Sequence, residues 1–225
     1  MPSPPPRIAA LVLVPVLLSW LVTGARIAGE LAGLGPPWVS SAPGGGGAIL
    51  GVVWLVPLCG AWFGWRLAAS TMPDRPGRAV VLSLAALALY IGGFQFVRFV
   101  LRFDTSTAFG LTAQILAMGA VSLLVLPIAR MAWPRLFAVN LGYSLAVRLP
   151  IAALTFVAVF RAWGTHLEKF GPHDHQGFGP WPHATLLAFT QLVFWPSFTI
   201  VCGGLFGSLA ALASRRARSR ATSPA

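Results

Sequence analysis

The sequence predicts an all-α protein: a polytopic membrane bundle of about six transmembrane helices in a single domain. Three observations predict it. Hydrophobic residues make up 56% of the 225 positions and charged residues only 9%, against about 25% charged in a typical soluble domain. With a mean hydropathy of +0.77, the chain has too few charges to solvate a whole surface, so lipid is the solvent for much of it. The apolar residues also fall in unbroken runs, most of them about 18 residues or longer, rather than in the roughly ten-residue alternating segments of a barrel. Such runs must be helical, because hydrocarbon offers no partner to open backbone groups.

The first run, 8–25, follows a proline-rich start. Its 18 residues exceed the usual signal-peptide core of about 7–15, which favours a retained helix over a cleaved leader. Residues 26–47 contain Pro36-Pro37 and four consecutive glycines at 44–47, the composition of a loop. The second run is 48–69 and the third 79–100, separated by a breaker-rich turn at 70–78. The fourth is 109–129. The fifth is placed at 138–163, with a start anywhere from Leu136 to Leu149. A polar loop, 164–183, leads to the sixth run, 184–213, and a basic tail, 214–225. Pro15, Pro57, Pro127, Pro150 and Pro196 lie in or beside runs, where each removes a helical hydrogen bond.

Charge distribution sets the expected orientation. With the N-terminus inside and six spans, inside segments hold ten Arg and Lys residues and outside segments five, with Arg148 left within or beside the fifth run. This follows the positive-inside rule for a cell membrane, with N- and C-termini cytoplasmic. The net charge of +11 does not point to nucleic acid, because the basic residues sit in short clusters between apolar runs. The one patch, Arg215, Arg216, Arg218 and Arg220, is juxtamembrane and suited to anionic lipid head groups. Trp65 and Trp133 fall near the expected inner ends of runs, Trp163 and Trp181 near the outer ends, where indole sits between lipid and water. Cys59 and Cys202 lie inside apolar runs, as packing residues do.

Two polar features stand out. Arg148 falls near the bilayer centre if the fifth helix starts early, where a charge costs at least about 2.5–3.5 kcal/mol and must face a partner or a wet cavity. Gln114 and Gln191 also lie within runs, so Arg148, Gln114 and Gln191 are the candidates for a ligand or transport path. All four histidines, His166, His173, His175 and His183, lie in the last loop beside Glu168 and Asp174. Imidazole and carboxylate together suit a metal or haem, although the spacing matches no strict zinc signature. The His166-Leu167-Glu168 element lacks the Cys-x-x-Cys half that a zinc deaminase requires. The GxxxG pairs Gly60/Gly64 and Gly203/Gly207 are two of four in the chain, about the number that chance supplies for 24 glycines.

No nucleotide-binding, zinc-helix or nucleophile-elbow motif is present. The sequence therefore leans away from an enzyme and names no cofactor. It points first to a binding, assembly or scaffold component whose partners are membrane lipid and another protein or a second copy. A small transporter or channel is the alternative, marked by Arg148 facing a polar cavity with Gln114 or Gln191. A redox protein using the outer histidines is the third reading.

Overall fold

The computed structural model describes residues 6–43, 46–170 and 178–221, the side chains of 216 and 218–221 apart. Among these residues the only regular structure is helical: α1 (Ile8–Leu31), α2 (Leu55–Leu67), α3 (Pro76–Phe96), α4 (Ala108–Leu124), α5 (Leu126–Ala132), α6 (Pro134–Arg161) and α7 (Pro180–Ala221). A π-helical turn, Val97–Leu101, extends α3, and a short 3-10 turn, His166–Glu168, sits in the last loop. Counting α3 with its π turn and α4 with α5, five helices are long and apolar enough to cross a membrane. Leu13, Val14, Leu17 and Leu21 on α1, Val81, Leu84 and Ile91 on α3, and Leu116 and Leu124 on α4 are all exposed. Apolar side chains facing outward along whole helices require a lipid solvent, and the chain is a helical membrane bundle.

The second run departs from the sequence expectation. Of residues 48–69, only Leu55–Leu67 are helical, about 20 Å of rise against a hydrocarbon core of about 30 Å. The preceding residues are as apolar as a helix but fold irregularly. Gly47 takes a positive φ of 77°, and the Ile49 and Leu50 amides bond the Pro37 and Trp38 carbonyls at 2.9 Å each. The second run is thus an irregular segment followed by a helix about two thirds of the length needed to span. Non-helical backbone within hydrocarbon is tolerated only where protein buries it or it lines a cavity.

Cross-contacts give the directions of the helices. Arg135 donates to the Pro6 carbonyl at 3.0 Å and Ser19 bonds Tyr143 at 2.7 Å, so α1 and α6 run parallel. Ser83 meets Ser208, and Tyr90 donates to the Phe194 carbonyl at 3.0 Å, so α3 and α7 run antiparallel. Gly60 abuts Gly203 and Gly64 abuts Gly207, so α2 runs parallel to α7. A Cβ on Gly60 or Gly64 would overlap the α7 backbone. The two GxxxG pairs that looked like chance in the sequence are the seam on which α2 and α7 close.

Other boundaries also shift. α1 continues to Leu31, bringing Arg26 and Glu30 into its last turns as an i,i+4 pair with Arg26 Nε 2.7 Å from Glu30 Oε1. The fourth run breaks at Val125, and α5 carries Pro127 in its first turn, the position a proline tolerates. α6 starts at Pro134, which puts Arg148 fourteen residues along it. Trp133 is buried and its Nε1 has no hydrogen-bond partner among the described residues, so this indole packs inside the protein and does not face lipid. α7 runs unbroken into the basic tail as far as Ala221.

Candidate functional site

Beyond the α2–α7 seam, on the N-terminal side of α2, a cavity of about 300 Å³ lies between α1, α6, α7 and the irregular segment before α2. Its basic wall is Arg26, Arg148, His166 and Lys169, and Gln191 and Trp195 face them from α7. Val52, Val53 and Trp54, which lead into the first turn of α2, also line it. The first two amides of α2, Leu55 and Val56, already donate to the Val52 and Val53 carbonyls at 3.1 and 3.2 Å, so α2 offers this end the positive pole of its dipole more than free amides.

Arg148 is at the centre of this arrangement. It is 7% exposed, and its Nη1 donates to Gln191 Oε1 at 2.9 Å. Its guanidinium carbon lies 4.7 Å from the Trp195 ring centre. Both partners are neutral. The only salt bridges among the described residues are those that Glu30 makes, so no carboxylate there compensates Arg148. A buried cation with only an amide oxygen and an indole face has stabilising partners but no counter-charge.

Arg26 differs. Its Nε is paired with Glu30, and its Nη2 donates to the Ser40 carbonyl at 2.6 Å. This second bond pins the irregular segment to α1. Glu30 also accepts the His166 backbone amide at 2.9 Å, and His166 Nδ1 lies 2.8 and 3.0 Å from its two oxygens. Burial holds the His166 imidazole below its ordinary pKa; the Glu30 hydrogen bond pulls it up, while Arg26 and Arg148 push it down. His166 is therefore neutral at neutral pH, and its Nδ1–H donates to the Glu30 carboxylate. That leaves the Nε2 lone pair, which has no hydrogen-bond partner among the described residues, on a ring that borders the cavity.

Arg148 and Gln191 meet directly, although they are 43 positions apart. Gln114 lies elsewhere, in a neighbouring apolar groove. His166 is taken up by Glu30, and His183 Nε2 lies 2.8 Å from the Glu168 carbonyl oxygen. His173 and His175 lie outside the described residues. Among the described residues, no three His, Cys, Asp or Glu side chains cluster as a metal site. Arg26, Glu30 and Lys169 were not foreseen as part of the site. The i,i+4 spacing of Arg26 and Glu30 was the available signal.

Fold and site together define a helical membrane protein with a basic cavity between its helices and the loop before α7. No family model, curated protein or solved structure matches the chain.

Proposed function

We propose that the chain binds a small anionic ligand in the cavity around Arg148 and acts as a carrier for it. One observation carries the reading: a buried arginine, about halfway along a membrane helix, has no carboxylate partner among the described residues and faces an open cavity. An arriving anion supplies the missing counter-charge, and the guanidinium can hold a carboxylate or phosphoryl group through two parallel bonds. Intramembrane ionisable residues mark ligand and ion paths. The interrupted second pass adds support. Carriers commonly form their sites from discontinuous helices whose half-helix N-termini face anionic substrate groups near the midplane. The positive-inside tally supports cytoplasmic termini in a cell membrane, and the cavity would then open on the far side.

The test is ligand-dependent stability and uptake. In neutral-lipid nanodiscs, phosphate, sulfate or a small carboxylate should raise the thermal midpoint in a saturable way. Arg148→Gln should fold but weaken that binding by roughly 30- to 100-fold, the loss of one charge-assisted contact. Proteoliposomes should take up the same anion, and the variant should not. The proposal fails if no anion stabilises the parent protein or if the variant binds equally well.

A further inference from the structure

We infer that the ligand is an anionic amphiphile, with its head group at Arg148 and its hydrocarbon tail in the groove beside the cavity. This rests on the anion-binding reading above and extends it to a ligand class. The groove, about 360 Å³, lies between α3, α4 and α7. Its walls are mostly apolar and aromatic, with Gln114 a polar exception: the Tyr90 and Phe94 rings are tilted against each other with centres 4.5 Å apart, and Phe94 meets Phe194 edge-on at 5.3 Å. Ile115 and Met118 complete the α4 side.

The groove and the cavity lie next to each other and share lining residues. Lys169, Leu187, Thr190 and Trp195 border both spaces. Trp195 offers one surface to the Arg148 guanidinium and also lines the groove. Lys169 stands at the junction, where a cation can neutralise a head group without entering hydrocarbon. A ligand bound across both spaces must be charged at one end and apolar at the other. Each tail methylene buried among these side chains then adds affinity by leaving water, while an inorganic anion uses only half of the site.

The experiment compares monoethyl and monododecyl phosphate by thermal midpoint in neutral-lipid nanodiscs. The parent protein should be half-saturated by the dodecyl ester at a concentration at least about tenfold lower. Met118→Trp, which fills the groove, should bring the two esters to similar values and leave the ethyl ester's value unchanged. The bilayer is the same for parent and variant, so partitioning of the ester cancels. If Met118→Trp does not fold, Ile115→Phe makes the same test with a smaller change. Dodecanol, which lacks the charge, should not stabilise either protein. The inference is overturned if both esters bind the parent equally or if the preference survives in the filled groove. If neither ester binds, the anion reading falls first and this inference with it. Phosphatidic acid added to the discs separates the sources. Competition with dodecyl phosphate identifies a bilayer lipid, lack of competition a diffusible amphiphile, and either result upholds the amphiphile.

Discussion

The two halves of α7 have opposite neighbours. Around Gly203 and Gly207 the helix lies directly against α2, glycine to glycine, with Leu136 and Asn140 of α6 closing the other side. Around Gln191 and Trp195, about three turns toward the N-terminus of α7, the same helix faces an open basic cavity. The difference follows from the length of α2. Where α2 exists, small residues allow backbones to touch and no space is left for a ligand. Where it has ended, the chain that replaces it is irregular and leaves a cavity. One short helix therefore accounts for both a closed seam and an open site.

The largest effect should come from the seam. Leucine at position 64 needs room already taken by the α7 backbone at Gly207, and backbone cannot rotate away as a side chain can. Gly64→Leu should cost about 3 kcal/mol or more, seen as loss of monodisperse, thermally cooperative protein. Gly92→Leu is the control, since nothing stands within 4 Å of a Cβ there. Equal midpoints for the two variants would show that the seam does not hold the bundle together.

The same contrast explains what could be read in the sequence. The helical membrane class was legible because composition alone decides it. The shortness of α2 was not, because residues 48–54 are as apolar as the helix they precede, and hydropathy is blind to whether backbone is helical. The seam was hidden for another reason. Each GxxxG pair is unremarkable alone, and its meaning lies in meeting a second pair more than 140 positions away. Arg148 and Gln191 were legible because polar groups inside long apolar runs are costly and must be used. His166 was visible, but its partner was not: Glu30 lies 136 positions earlier, in a segment whose glycines and prolines read as loop.

The second effect separates the two halves by pH. Neutral His166 donates to Glu30, with Arg26 on α1, Arg148 on α6 and Lys169 in the loop as the surrounding cations. The folded pKa of His166 lies below its unfolded value, so the unfolded chain binds the extra proton first as pH falls. The stability His166 contributes is therefore complete above the ordinary imidazole pKa and is lost as pH drops below it. The thermal midpoint should fall by on the order of a few degrees from about pH 7.5 to about pH 5.5. In His166→Gln the fall should be smaller, with other titrating groups contributing equally to both proteins. The seam glycines carry no titrating side chain, so a Gly64 variant that folds should keep the parent's pH slope. A slope unchanged in His166→Gln would remove this group from the account.

The smallest effect asks what holds the seam half together. Ser83 and Ser208 lie beside it, both buried, with their hydroxyls 3.4 Å apart, a long hydrogen bond between α3 and α7. Such bonds contribute about 0.6 kcal/mol on average within membranes, because the separated helices find other partners for the same groups. Ser83→Ala should therefore lower the thermal midpoint only slightly, and adding Ser208→Ala should cost little more, since the first change already removes the bond. If Ser83→Ala approaches the Gly64→Leu loss, then polar contacts and not backbone apposition close this half. The contrast between a dry, close-packed seam and a polar cavity would then no longer hold.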